Sequence, residues 1–505
     1  MHSMTQLEQR SSGPSPTGGS RPRPTRRHPI ATASMVSIES WERFSFYGMQ
    51  AILVYYLYYA TTEGGLGIEK TQATALLGAY GALLYLCTFI GGWLGDRFLG
   101  TEKTLLLGAG MLVTGHLVLS FGDRIPALAL GLTLIAVGSG CLKTAAITVL
   151  GAVYCDRGAD RDVGFQYFYL GIQFAAVGGP LLTGYLSTAY SFHVGFGAAA
   201  VLMILGVVIY LALRAPMLAQ VSETTRYEIT HPPTPAAPRA ATVSVTVGVL
   251  VLGGVVVATA SGALSPTQLA RALLVAIFAT AGVMYALMLR SPAVSAAERR
   301  RMIVYIPVFL AACAFYSLAN QIYGVLAVYS DLRLDRHVLG FEIPAAWTQA
   351  INPFFFALFA VPIAYLWHRL GTKAPASATK MSLGVVIAGF GMFVLLPYTG
   401  GGENSTPFAV LAGAILVITV GELFVGPIGM AATTAHAPRA FRTRFSALYF
   451  LTLAIGNSLA GTISEFYDPS SKAAEDRYFL LCGLVAIAVG VATLFLGRYL
   501  AKRER

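Results

Sequence analysis

The sequence predicts an all-α membrane protein: two six-helix bundles plus an inserted helix pair, about 14 transmembrane helices in all. Three observations carry this. Of 505 residues, 55% are hydrophobic and only 12% charged, against roughly 25% charged in a soluble domain; mean hydropathy is +0.65. Apolar runs recur that reach the roughly 20 residues a spanning helix needs, too long for barrel strands. Basic residues fall between those runs, concentrated at every second connection, a topology signal.

Taken in order, residues 1–34 are rich in Ser, Pro and Arg, with Arg21, Arg23, Arg26 and Arg27 clustered. No apolar segment and cleavage site follow, so a disordered cytoplasmic tail is expected rather than a signal peptide. The first bundle, 35–214, has helices at about 35–60, 72–97, 103–121, 127–153, 163–188 and 192–214. A linker, 215–301, opens with the polar, Pro-rich stretch 220–241. It continues with the apolar runs 242–261 and 269–289 and closes on three arginines at 299–301. The second bundle, 302–500, has helices at about 302–330, 345–369, 380–398, 407–432, 443–466 and 478–500, and 501–505 forms a short cytoplasmic tail.

Arg97 and Lys103, Arg157 and Arg161, His368, Arg369 and Lys373, Arg439, Arg442 and Arg444, and Arg498, Lys502, Arg503 and Arg505 all fall on the side of the basic N-terminus. Both termini are therefore expected in the cytoplasm, with the lipid bilayer of the cell (plasma or inner) membrane around the helices. The net charge of +11 belongs to this pattern and gives no reason to expect nucleic acid. Cys87, Cys141, Cys155, Cys313 and Cys482 are scattered, with no CxxC or Cys/His spacing, so neither metal nor disulfide is expected. No P-loop, GxSxG or HExxH is present. Neither an enzyme, an ATP-driven pump nor a cofactor is expected.

The ionisable residues inside the apolar runs are the candidates for function. On a helix, Glu39, Glu42, Arg43, Phe46, Tyr47 and Gln50 share one stripe. An intramembrane charge costs about 2.5–3.5 kcal/mol on insertion scales, so these groups face a partner or a wet cavity. A purely structural Glu–Arg pair is the competing reading. Lys143 lies too deep in 127–153 to snorkel easily and must find an anion or a cavity. Glu422 lies within 407–432, beside Pro427 and several glycines that ease bending.

Glu39-x-x-Glu42-Arg43-Phe44-x-Phe46-Tyr47-Gly48-Met49 resembles the ExxERFxYY signature of the proton-dependent oligopeptide transporter (POT) family, a branch of the major facilitator superfamily. Phe46 replaces its first Tyr. Gly421-Glu422-Leu423 followed by Pro427-Ile428-Gly429 is similar to the family's GELxxxPIG. Phe168-Tyr169-Leu170-Gly171-Ile172-Gln173 resembles FYxxIN, with Gln173 for Asn, and Gln349-Ala350-Ile351-Asn352-Pro353 fits the pattern too. Asn352 is expected to make a hydrogen-bonding contact; satisfying backbone freed by Pro353 is the alternative. Gly91 to Gly100 resembles the superfamily's loop motif, with Asp96 and Arg97 either latching helix ends or simply solvated.

Departures are paired. Where the family has a basic residue and a Glu that face each other, this chain has Gln50 and Asn320. Losing one member would strand a charge at about 3–5 kcal/mol; losing both leaves an amide pair expected to hydrogen-bond as a gate. The family's Pro-Asn after the lysine is Thr144-Ala145 here.

The resemblance implies the major facilitator fold and a secondary active transporter of di-/tripeptides working by alternating access, with proton-coupled symport. A dipeptide is a zwitterion with variable side chains. Arg43 and Lys143 suit its carboxylate; Glu422, Asn352 and Gln173 suit its amino end; Tyr47, Tyr85, Tyr316 and Tyr449 form adaptable walls, although any one Tyr taken alone reads as packing before contact. Lys143 and Glu422 are expected to pair when the site is empty. Glu39, Glu42, Arg43, Lys143 and Glu422 are the candidates for proton coupling; Gln50, Asn320, Asp96, Arg97 and Pro427 those for gating. The expected partners are a small peptide substrate, protons and lipid, with the protein a monomer. Two alternatives stand beside this: a facilitator of another anionic or zwitterionic small solute with weak or no proton coupling, and a non-transporting membrane sensor.

Overall fold

A computed structural model describes residues 30–154, 158–232, 235–338 and 340–504. Apart from residues 30–34, the expected N-terminal tail lies outside the described residues, as do Cys155, Arg157 and Arg505. The first half comprises α1 (Ile30–Tyr58), α2 (Lys70–Leu94), α3 (Thr101–Phe121), α4 (Ile125–Val153), α5 (Gly158–Ala189) and α6 (Phe192–Ala219). The linker holds α7 (Glu223–Thr230), α8 (Pro238–Ala260) and α9 (Pro266–Arg290). The second half comprises α10 (Ala296–Ala319), α11 (Val325–Arg333), α12 (Ile351–Leu370), α13 (Ser377–Phe393), α14 (Phe408–His436), α15 (Arg442–Ser464) and α16 (Lys472–Glu504). Two short ladders, Leu334–Asp335 with Thr406–Pro407 and His337–Val338 with Phe341–Glu342, tie loops together.

Among the described residues, 12 helical stretches are long and apolar enough to cross a membrane. Helices α1 and α5 are not among them, although they have 29 and 32 residues, because polar side chains interrupt their apolar runs. Adding these two completes the expected pair of six-helix bundles and the inserted pair. Valines and leucines of α8, such as Val247, Leu250 and Val257, stay exposed, as a face solvated by lipid requires.

Local chemistry explains the joints. Ser191 caps α6, its hydroxyl accepting from the Val194 amide at 3.3 Å. Capping boxes, Ser265 with Gln268 and Ser295 with Glu298, start α9 and α10 by satisfying amides that lack a helical partner. Helix α7, capped by Ser222, lies in the stretch that reads as plain linker. The expected helix 302–330 is interrupted: α10 ends at Ala319, a 3₁₀ turn follows at Asn320–Ile322, and α11 resumes at Val325. Helix α16 runs to Glu504, into the expected tail.

The inserted pair is a hairpin that leaves and rejoins the bundle at the basic end. Helix α8 packs on α4, and α9 packs on both α2 and α15, so it contacts both halves. Ala270 is buried with Ala75 and Ala79, the Ser458 hydroxyl donates to the Ala270 carbonyl at 3.2 Å, and Arg271 pairs with Glu465 at 2.6 Å.

At the end opposite the basic residues the halves touch. Gly78 of α2 meets Gly461 of α15 so closely that a Cβ on Gly78 would lie 2.5 Å from the Gly461 Cα; only Gly fits. Ser464 donates to Thr74 at 2.8 Å, Trp347 Nε1 to the Leu181 carbonyl at 2.9 Å, and Gln349 Nε2 to the Ala51 carbonyl at 3.1 Å. Some 20 Å further along α2, at 1.5 Å per residue, α2 and α15 have parted. There they leave a cavity of about 870 Å³ reaching from Lys143 to Asp96 and Arg444. The molecule is closed at one end and hollow at the other.

Gly78→Leu should therefore lower the thermal midpoint of the detergent-purified protein, since overpacking a close contact costs about 1–3 kcal/mol. Gly92→Leu, where nothing lies within 4 Å of the new Cβ, should leave it unchanged. Equal melting of the two variants would contradict the α2–α15 contact.

Candidate functional site

The α1 stripe is folded inward. Glu39 and Glu42 are fully buried and Arg43 nearly so. Arg43 Nε lies 3.0 Å from Glu39 Oε1 and 2.7 Å from Glu42 Oε2, and its guanidinium stands 5.5 Å from the Phe46 ring centroid. Ser139 of α4 completes the network: its hydroxyl donates to Glu42 Oε1 at 2.6 Å and accepts from Arg43 Nη2 at 3.4 Å. Gly140 beside it lets α4 reach α2, for a Cβ there would come 2.4 Å from the Cys87 carbonyl carbon. One turn on, Lys143 faces the cavity, and its ammonium lies 5.1 Å over the Tyr85 ring. Among the described residues Lys143 makes no ion pair.

In the second half, Glu422 sits midway along α14 and is half-buried. Its Oε2 accepts from Asn352 Nδ2 at 2.9 Å, and the same Nδ2 lies 3.0 Å from Thr419 Oγ1. The Asn352 amide thus serves side chains of α14, not backbone freed by Pro353. The Tyr316 and Tyr449 hydroxyls are 2.7 Å apart, and Tyr449 donates to the Gly426 carbonyl at 2.7 Å. That contact falls one residue before Pro427, which lies inside α14.

Two expected pairings are absent. Lys143 and Glu422 do not meet: the lysine lies over Tyr85 and the carboxylate is held by Asn352. Gln50 and Asn320 do not hydrogen-bond to each other. The Asn320 amide turns back to the Tyr316 carbonyl, at 2.7 Å. Both still line one small cavity, with Thr74, Asn457 and Ser464, of about 10 Å³, about the room one water needs. Gln173 on α5 is half-buried and has no hydrogen-bond partner among the described residues. The half-buried Tyr47 packs on Phe46, with ring centroids 5.4 Å apart. Asp96 and Arg97 lie exposed on the wide turn Gly95–Leu99; Asp96 lines the cavity, and the Arg97 carbonyl accepts from the Ala236 amide at 2.9 Å. No cluster of three or more metal-binding side chains exists among the described residues.

Sequence reasoning missed Ser139, whose signal is a lone hydroxyl between two glycines one turn before Lys143. It also missed Asp331 of α11. Tyr58 donates to Asp331 Oδ2 at 2.6 Å and Tyr59 to Oδ1 at 2.7 Å, joining the far end of α1 to the second half. The Lys70 ammonium lies 5.4 Å over the Tyr58 ring. An Asp in an apolar run opposite a Tyr-rich helix end was the available clue.

Arg43→Met leaves Glu39 and Glu42 buried beside no guanidinium, a loss worth about 3–5 kcal/mol. Its thermal midpoint in detergent should fall well below that of the parent. The triple variant Glu39→Gln/Glu42→Gln/Arg43→Met should regain most of the loss. If Arg43→Met melts like the parent, the cluster does not hold α1 against α4.

Comparison with known proteins places the chain. The POT family model matches residues 102–481. Uncharacterized transporter YclF of Bacillus subtilis (strain 168) is 34% identical, over 93% of this chain and 94% of its own length. The di-/tripeptide transporter of Lactococcus lactis subsp. cremoris is 32% identical, over 94% and 96%. A solved structure of a variant of the peptide transporter POT in complex with alafosfalin superposes with a TM-score of 0.86 at 34% identity, covering 95% of this chain and 96% of that one. With a family model spanning most of its length, and helices numerous and apolar enough to cross a bilayer many times, this chain is a multi-pass membrane transporter that belongs to the POT family.

Proposed function

We propose that the protein is a secondary active transporter of di- and tripeptides, driven by proton symport. It works as a monomer in the cell membrane with both termini in the cytoplasm. The observation that carries the reading is that each half holds a charged group with no ion-pair partner among the described residues, Lys143 in the first and Glu422 in the second. Cations Arg43 and Lys143 stand on α1 and α4, and the carboxylate of Glu422, with Asn352, stands on α14 and α12. A zwitterion laid between them meets an opposite charge at each end, and the aromatic walls of Tyr85, Tyr316 and Tyr449 accept different side chains. The hollow lies toward the basic end, so on the positive-inside rule this is the cytoplasm-facing state. The Tyr58–Tyr59–Asp331 contact and the Gly78–Gly461 crossing close the outer end.

Proton coupling is assigned to Glu39 and Glu42 beside Arg43. A carboxylate keeps its charge beside a cation and takes up a proton when parted from it in a dry site. A driving ion shifts states only through differential binding, and these two groups have a cation to part from. The neutral cavity of Gln50 and Asn320 favours a second reading, a zwitterion facilitator with weak or no proton coupling. Uptake of a labelled dipeptide into proteoliposomes, with and without an imposed pH gradient, separates the two. Acceleration by an inward proton gradient supports symport; indifference to it supports the facilitator.

Glu422→Gln should weaken dipeptide binding by about 10- to 100-fold, the equivalent of the roughly 1.5–3 kcal/mol of a hydrogen bond to a charged group. The thermal midpoint should move little. Unchanged affinity in the purified variant would remove Glu422 from the site. The double variant Glu39→Gln/Glu42→Gln should lose pH-driven accumulation yet keep peptide counterflow, which needs no net proton movement. Continued accumulation by that variant under a proton gradient would move the coupling elsewhere.

A further inference from the structure

The cavity does not stop at Lys143. It extends beyond the lysine on the side away from the α1 charges, between α2 and α15, and the inserted helix α9 forms one wall. Around it stand Phe89 and Trp93 of α2, Ile147 of α4, Met284 and Met288 of α9, and Phe450 of α15. These are apolar side chains, and the methionines among them are soft enough to fit different shapes. Charged groups border it at Lys143, and at Asp96 and Arg444 toward the basic end, and Thr88, Thr144 and Thr148 also line it. At about 870 Å³ it stands near the top of the roughly 300–1,000 Å³ range of ligand pockets.

We propose that this hollow is the bay for the side chain of a peptide's C-terminal residue, and that α9 sets its size. The inference rests on the peptide reading above, with the peptide carboxylate at Lys143. In an α-amino acid the side chain and the carboxylate branch from the same carbon. A carboxylate held by the Lys143 ammonium therefore places that side chain within a few bonds of the lysine. On one side lie Glu39, Glu42 and Arg43, where an apolar group would displace hydrogen bonds and find no greasy surface. On the other lies the bay. A large aromatic or branched side chain removes apolar surface from water there, whereas the methyl of Ala leaves the bay unfilled. The inserted pair thereby acts on substrate choice, through a helix that belongs to neither bundle.

The test uses the full-length protein in proteoliposomes. Uptake of labelled Ala-Ala is competed by unlabelled Ala-Ala, Ala-Phe and the position isomer Phe-Ala. In Met284→Trp, which narrows the bay, the affinity for Ala-Phe relative to Ala-Ala should fall about tenfold, the scale on which an apolar pocket discriminates. The ratio for Phe-Ala should stay within twofold of the parent's. Met288→Ala, which widens the bay, should move the Ala-Phe ratio less than Met284→Trp and raise acceptance of Ala-Trp. Residual Ala-Ala uptake in each variant reports that the protein has folded. Equal losses for Ala-Phe and Phe-Ala overturn the bay. So does no change in either ratio, the result expected if a lipid chain fills the hollow, entering past the exposed Leu287. A parent that takes up no peptide overturns the peptide reading and the bay with it. A parent that takes up peptides while the variants keep its ratios overturns the bay alone.

Discussion

Two carboxylates and a guanidinium in the middle of a membrane helix constrain everything around them. Left facing lipid, each charge would cost several kcal/mol. Helix α1 is therefore enclosed by α4, α5 and α6, and Ser139 supplies the hydrogen bonds that Arg43 and Glu42 would otherwise lack. That enclosure needs close helices, hence the glycine at 140 where α4 meets α2. A buried ion pair of this kind adds little stability relative to an apolar core. Under the proposed mechanism its worth is as a switch: the groups are held one way while the halves are closed at the outer end, and the hollow brings water up to Lys143 from the other side.

The two ends of the molecule use different chemistry because they must do different things. The closed end is held by glycine contacts, hydroxyls, amides and one carboxylate between two phenols. Individually these are modest, about 0.5–1.5 kcal/mol for an ordinary hydrogen bond. Contacts of that size suit a surface that the proposed cycle has to open and reseal. The Glu39–Glu42–Arg43 cluster, by contrast, lies wholly within one helix, so its groups part by side-chain rearrangement rather than by one half sliding on the other. Its partner across the boundary between helices is the Ser139 hydroxyl, a neutral group.

Much of this was legible in the sequence, and what was not has a common cause. The helices of both bundles and the inserted pair follow from apolar runs, α1 and α5 included, although polar side chains lower their hydropathy. The placement of Glu39, Glu42 and Arg43 together follows from helical spacing alone. Pairings that depend on remote segments do not. Asp331 is 273 residues from Tyr58 and 272 from Tyr59, and no periodicity connects them. Lys143 and Glu422 share equivalent places in the two halves, but equivalence is not contact: Asn352 reaches the carboxylate first. Asn320 shows the same limit on a local scale. Its side chain lines the same small cavity as Gln50, yet donates back to the Tyr316 carbonyl on α10. The position of α9 between α2 and α15 is set by Ala75, Ala79 and Ala270, small residues that carry no signal of their own.

A charge count links the departures at Gln50 and Asn320 to the proposed cycle. The first half carries Glu39 and Glu42 against Arg43 and Lys143, two negative groups and two positive. The second half offers Glu422, whose partner in this state is the neutral amide of Asn352. The empty carrier thus has one anionic group near its centre with no cation beside it. In the proposed cycle a peptide's ammonium or a proton satisfies it, and Lys143 meets the peptide's carboxylate. A glutamate at 320 without a basic residue at 50 would have added a second uncompensated anion close to the outer closure, where the halves must seal. With amides at both positions, neither residue adds a charge to that closure, where the Asp331 carboxylate is already held by Tyr58 and Tyr59. In the proposed cycle the proton-binding groups lie on α1 and α14, on opposite sides of the peptide, so peptide binding and proton binding act on the same electrostatic imbalance.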